Sequence, residues 1–130
     1  MTASAYTEDQ IQEGVVSWLL GLEAVSRAFT FAADMNAAKR TVQGAVWAKK
    51  QGRRPGEADL RIYLKAGRLL LVELKAKKTP VTDAQEDRHA KLADLGHPVT
   101  IVRAETPNHA INQIEALLIE AGAITGRRAA

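Results

Sequence analysis

Residues 69–75 read Leu-Leu-Leu-Val-Glu-Leu-Lys, and no other segment constrains the fold as strongly. Side chains alternate along a strand, so Leu69, Leu71, Glu73 and Lys75 share one face and Leu70, Val72 and Leu74 the other. Both faces are apolar until the C-terminal end. Such a strand is central and covered on both sides. Two charges then appear together where the apolar pattern stops. The ends of strands in sheets of this kind are where sites are built. Glu-x-Lys alone is a weak motif, and a solvated ion pair at a strand end would read the same way.

The rest of the chain supplies the layers. Residues 7–22 read as a helix, with Thr7 and Gln10 in a capping-box pattern and Ile11, Val15, Leu19 and Leu22 on one face. Residues 28–33 suit a short strand and residues 36–40 a loop. Residues 41–51 suit a helix closed by Gly52, before the basic turn Arg53-Arg54-Pro55-Gly56. Residues 59–64 and 69–75 form a hairpin through a turn at 65–68. Residues 82–95 read as a helix with Thr82 as cap and Gly96 as stop, and 99–103 as a strand. The last helix opens at Thr106-Pro107 and ends near Gly122. The order α-β-α-β-β-α-β-α implies a mixed central sheet flanked by helices, an α/β sandwich.

At 130 residues the chain is expected to be one domain, 1–130, with frayed ends at 1–6 and 125–130. There is no Cys, which excludes disulfides, thiolate metal sites and Cys nucleophiles. No run reaches membrane-spanning length and residues 1–5 lack the pattern of a secretion signal, so a cytoplasmic protein of a bacterium or a phage-infected cell is expected. The net charge of +3 hides an asymmetry. Residues 39–78 hold 12 of the 18 Lys and Arg against three acids, Glu57, Asp59 and Glu73, a net of +9 on a frame of −6. A basic middle of this kind suits a polyanion, although a solvated face would have the same composition.

Acids grouped inside a basic segment are what metal-dependent phosphodiester cleavage needs: cations hold the polyanion and carboxylates hold the metal. Asp59 opens the strand that precedes Glu73, so a hairpin would return it beside that end. Gly56 permits an unusual turn or a close backbone approach just upstream. Two registers stay open. If Leu64 opposes Leu69, Asp59 opposes Leu74 and points away from Glu73. A shift of one, or a bulge at Asp59, puts it opposite Lys75 and on the face of Glu73. The chemistry needs the second.

Asp59 with Glu73-Leu74-Lys75 resembles the PD-(D/E)xK nuclease superfamily, whose fold is the restriction-endonuclease-like α/β sandwich. The context resembles its VRR-NUC branch, found in Fanconi-associated nucleases and in stand-alone phage and bacterial proteins. The matching stretch runs from Arg40 through Gly56-Glu57-Ala58-Asp59 and Val72-Glu73-Leu74-Lys75 to Gln85, His89, Leu92 and Gly96. The superfamily's Pro before the Asp is Ala58 here. The resemblance implies that Asp59, Glu73 and the Leu74 carbonyl ligate Mg²⁺, with Mn²⁺ able to substitute, and that Lys75 orients the water or stabilises transition-state charge. It also implies a Glu on the first helix. Glu8 and Glu13 compete; Glu8 is preferred because it lies on the face of Ile11 and Val15, from which it reaches the metal directly or through water, and Gln12 borders that face. Gln85 is either the capping-box partner of Thr82 or a contact of the water or Lys75.

Lys39, Arg40, Lys49, Lys50, Arg53, Arg54, Lys77 and Lys78 are the expected phosphate contacts. His89, His97 and His109 lack zinc-site spacing and read as surface or packing residues. The leading function is an Mg²⁺-dependent, structure-selective DNA endonuclease for branched, flap or four-way DNA. Its partners are DNA and a second copy in a homodimer, with no membrane and no disulfide-linked partner. Alternatives are a non-catalytic nucleic-acid-binding module on the same fold and a structural subunit of a larger assembly.

Overall fold

The structure is a computed structural model that describes residues 5–34 and 42–125. Lys39, Arg40, the loop expected at 36–40 and Thr41 at the expected start of the second helix lie outside the described residues, as do residues 126–130 of the tail. Among the described residues nine elements follow in chain order: α1 (Glu8–Val25), β1 (Phe29–Ala33), α2 (Val42–Lys50), β2 (Leu60–Leu64), a 3₁₀ turn (Lys65–Gly67), β3 (Leu69–Ala76), α3 (Asp83–Asp94), β4 (Val99–Ala104) and α4 (Pro107–Glu120). The elements match the sequence reading within a few residues. No described helix is long and apolar enough to cross a membrane.

The four strands form one mixed sheet in the order β1-β2-β3-β4, antiparallel except for the parallel β3–β4 pair. The parallel pair follows from the crossover through α3, since a parallel connection needs a helix-length return. β3 is central, and every residue from Leu71 to Lys75 is buried.

One face of the sheet makes the core. Ile11, Val15 and Leu19 recur every four residues on α1, and Ala110, Ile114 and Leu118 do the same on α4. They pack with Leu60 and Ile62 of β2, Val72 and Leu74 of β3, and Val102 and Ala104 of β4. Fully burying each large aliphatic side chain contributes about 1.5–3 kcal/mol. The residues between them, Asp59, Arg61, Leu71, Glu73 and Lys75, therefore point to the other face, toward α3.

The hairpin register differs from both expected pairings. Leu60 pairs with Val72 and Tyr63 with Leu69. The turn occupies residues 65–68 as expected: Arg68 caps the 3₁₀ turn, and Leu64 N–H bonds Arg68 O at 2.9 Å, one step beyond the Tyr63–Leu69 pair. Ala66 at φ 63° and Gly67 at φ 70° supply the left-handed reversal. Continued by one step, this register places Asp59 across from Glu73, on the same face, rather than across from Lys75 or Leu74.

Candidate active site

β2 releases Asp59 at the point where its ladder to β3 ends. The Asp59 backbone carbonyl accepts from Asp34 N at 2.9 Å, toward β1. Its carboxylate turns the other way, and Oδ2 accepts from Leu74 N at 2.7 Å. The side chain replaces the missing strand partner of β3, which fixes the carboxylate beside Glu73. Asp59 is 8 % exposed, Glu73 2 % and Lys75 3 %. Three charged side chains this buried need a reason, because isolated ionised groups are strongly disfavoured in the interior.

Glu73 is only half satisfied. Oε2 accepts from Gln85 Nε2 at 3.0 Å. Oε1 is buried with no hydrogen-bond partner, and so is His89 Nε2, 3.7 Å away. Burial first, and then the neighbouring Asp59 carboxylate, push the Glu73 carboxyl up to about 9; Lys75 opposes the shift and Glu8 adds to it. Burial and the Lys75 charge hold His89 below its ordinary value. The pair of carboxylates thus favours one extra positive charge between them, a proton or a cation.

These carboxylates open on a pocket of about 260 Å³ between the N-termini of α1 and α3, lined by Glu8, Gln12, Asp59, Glu73, Leu74 and Gln85 among others. Glu8 is half-buried, and its Oε1 accepts from Ala76 N at 3.2 Å. Glu13 is exposed on the far side of α1. Gln12 lines the pocket as well. Lys75 does not line it; its ammonium acts on the site through its field at Glu73 and His89.

Gln85 is the capping-box partner of Thr82, and its second contact is Glu73 rather than the expected water or Lys75. Its Oε1 accepts from Thr82 N at 3.0 Å in a complete capping box, while its Nε2 reaches Glu73. The amide orientation follows from the hydrogen-bond network: the cap uses the acceptor, leaving the donor for the carboxylate. Gly56 lets this happen. At φ 78° it passes so close to α3 that a Cβ would lie 2.3 Å from Ala84 O and 2.7 Å from Gln85 N.

A divalent cation fits this donor set. A buried, partnerless Glu73 oxygen beside a second carboxylate is a hard, anionic site. Among the described residues no group of three or more His, Cys, Asp or Glu is placed to hold a metal ion, so a cation here would rest on the two carboxylates, a backbone oxygen and water. Two carboxylates and a backbone oxygen suit Mg²⁺, which retains several waters, and do not suit zinc.

The expected phosphate contacts are less uniform. Lys49, Lys50, Arg54 and Lys78 are exposed. Arg53 lies over the Trp47 ring, 5.0 Å from its centroid. Lys77 is exposed but pairs with Glu105 at 2.5 Å, which raises the Lys77 pKa and lowers that of Glu105. Four residues near the site were not singled out as site residues: Glu57, Arg61, Arg88 and, read as packing, His89. Arg88 bonds Glu57 at 3.1 Å, and Arg61 reaches Glu57 at 3.7 Å and Asp34 at 3.4 Å. Their spacing held the signal. Glu57 and Arg61 lie two residues either side of Asp59, and Arg88 and His89 lie three and four after Gln85 on one helix face.

The VRR-NUC domain model matches residues 3–106. A solved VRR-NUC domain protein superposes with a TM-score of 0.61 at 20% identity, covering 88% of this chain and 90% of that one. A second solved VRR-NUC domain gives 0.53 at 18% identity, covering 83% and 94%. Among curated proteins, none matches the sequence.

Proposed function

Because the chain belongs to the VRR-NUC domain family, a nuclease family, we propose that it is an Mg²⁺-dependent endonuclease that hydrolyses phosphodiester bonds in branched DNA. The observation that carries this reading is the meeting of two buried carboxylates, Asp59 and Glu73, in one open pocket, with one Glu73 oxygen left without a partner. When bound, Mg²⁺, or Mn²⁺ in its place, supplies Lewis-acid polarisation of the scissile phosphate and acidifies the attacking water.

Asp59, Glu73 and the Leu74 carbonyl would hold the ion. The Leu74 N–H fixes the Asp59 carboxylate, and the Gln85 amide does the same for Glu73. Second contacts of this kind keep ligands in position before the ion arrives. Lys75 stabilises the charge that grows on the phosphoryl oxygens, from a buried position where its field is little screened. Glu8, held by the Ala76 N–H at the pocket, would add its negative charge to the site that holds the ion, directly or through water. The N-termini of α1 and α3 on either side favour an anionic substrate.

Selectivity for structure rather than sequence follows from economy of size. The described elements form one small sheet with its helices, which leaves little room for a separate base-reading module. A two-fold homodimer would present two such pockets to the arms of a four-way junction. A non-catalytic module would gain nothing from two buried acids beside phosphate. Labelled duplex, flap, splayed and four-way DNA incubated with Mg²⁺, Mn²⁺ or EDTA tests the reading. Metal-dependent cuts in the branched substrates are expected. Salt-sensitive binding without cleavage in any metal would instead assign a binding module.

A further inference from the structure

Next to the carboxylate pocket lies a cleft of about 330 Å³ whose charges do not balance. Arg53, Arg54, Arg61 and Arg88 line it against two acids, Asp34 and Glu57. Glu57 lines both cavities, so they adjoin. It is held from two sides, by Arg88 at 3.1 Å and Arg61 at 3.7 Å. Arg54 and Arg88 also line a shallower cleft with Lys91, where Asp87 is the acid. The cationic surface therefore continues onto α3, beyond the segment that carries most of the positive charge.

Asp59, the residue before β2, and Arg61 are two apart and so share a sheet face, about 6.6 Å apart at roughly 3.3 Å per residue. One DNA strand advances about 3.4 Å per nucleotide along its axis. A strand that ran along β2 with its scissile phosphate at Asp59 and Glu73 would carry another phosphate past Arg61 within about two nucleotides. Guanidinium groups suit that ligand, since they present planar pairs of donors to phosphate oxygens.

We infer that this arginine cleft is a second phosphate subsite, taking a backbone phosphate of the strand being cut, and that Glu57 occupies it as an internal counter-anion that the phosphate displaces. The assignment rests on the nuclease reading for its substrate and deepens it. It differs from a purely structural ion-pair network in one respect. A structural Glu57 would support DNA binding by holding Arg61 and Arg88 in place. A competing Glu57 opposes binding, and its neutralisation helps.

Anisotropy titrations of labelled flap DNA in EDTA, at several salt concentrations, separate these. Arg54→Gln and Arg88→Gln are expected to weaken binding several-fold and to flatten the salt slope by roughly one each. Glu57→Gln is expected to tighten binding several-fold. A scan of single neutral methylphosphonate linkages should find one position where wild type loses affinity and the Arg54→Gln/Arg88→Gln double variant no longer does. DNA with 5′-hydroxyl and 5′-phosphate ends should bind alike; affinity gained only from a 5′-phosphate would assign the cleft to a strand end and overturn the proposal. So would salt-dependent binding by wild type that neither Arg variant changes, or weakened binding by folded Glu57→Gln protein. If Glu57→Gln does not fold, the exposed Arg54 and the linkage scan decide. Absence of DNA binding by wild type would instead remove the nuclease reading itself.

Discussion

Gln85 is bonded at both ends of its side-chain amide, and its donor end is on Glu73: Oε1 lies 3.0 Å from Thr82 N and Nε2 lies 3.0 Å from Glu73 Oε2. The bond that starts α3 therefore also aims a donor at a buried carboxylate. Helix capping and site organisation are one arrangement, and a substitution that separates them is informative.

Gln85→Glu does so. Glu serves a capping box as well as Gln, so α3 is expected to keep its stability. The new carboxylate accepts where the amide donated, beside a carboxylate already burdened by Asp59. Cleavage is expected to fall about 10–100-fold, the usual effect of removing a contact that orients a metal ligand. Gln85→Ala should lose a similar factor and also about 0.5–2 kcal/mol of stability with its share of the cap. Melting curves and single-turnover rates on the same samples check both. Full activity in Gln85→Glu would mean that the amide does not organise the site.

Glu73 gives a pH prediction for the metal-free protein. Burial and the Asp59 carboxylate raise its pKa in the folded protein to about 9, above the ordinary 4.5. Below pH 4.5 both states hold the proton. Between 4.5 and 9 the unfolded chain releases it while the folded chain keeps it, so the folded state binds more protons and stability falls as pH rises. Urea melts in EDTA are expected to show wild type losing stability from pH 5 to pH 8. Glu73→Gln, which has no proton to release, should lose less and be the more stable protein at pH 8, although inactive. Equal pH dependence in the two proteins would remove the account of this carboxyl.

Much of this was legible in the chain because local rules and tertiary structure agree. The leucines of β3 show a strand buried on both faces. The helix caps at Thr7, Thr82 and Thr106 are all present. Asp59, Glu73 and Lys75 stand out as charges where apolar runs stop. What sequence left open was set by contacts distant in the chain. The hairpin register was set by a reversal through Ala66 in the left-handed region, which L-residues seldom adopt. The pairing of Arg88 with Glu57 spans α3 and the loop before Asp59, and no local pattern announces it.

Metal should bind through the two carboxylates and couple to folding. Mg²⁺ at about 100 times its dissociation constant stabilises a protein by about 2.7 kcal/mol when only the folded state binds it. Wild type is expected to gain stability of that order and to release protons on binding, because Glu73 must ionise to ligate. Asp59→Ala and Glu73→Ala should show neither effect and lose most cleavage. Lys75→Ala should still bind the ion while losing about 100-fold or more in rate. Calorimetry in two buffers of different ionisation enthalpy checks the proton release. Unchanged metal affinity in folded Asp59→Ala and Glu73→Ala would place the ion elsewhere.

Gly56 and Gly67 make a matched pair for testing what holds α3 against the site. Both have positive φ, 78° and 70°, so Ala at either strains the backbone by about 1–2 kcal/mol. Their surroundings differ. A Cβ at Gly67 meets nothing within 4 Å, whereas at Gly56 it would lie 2.3 Å from Ala84 O and 2.5 Å from Ala84 C. These are backbone atoms in the first turn of α3, and they cannot rotate aside as a side chain would. Gly56→Ala therefore has to push back the helix end that carries Gln85, breaking its bond to Glu73. Gly67→Ala is expected to lower stability modestly and leave cleavage and metal affinity unchanged. Gly56→Ala is expected to lower cleavage about 10–100-fold, the loss seen when an orienting contact goes. Adding Gln85→Ala to it should then cost little more, since the contact is already gone. Activity measured beside melting temperature for the four variants decides it. If Gly56→Ala and Gly67→Ala lose the same activity at the same loss of stability, the close approach at Gly56 does not position Gln85.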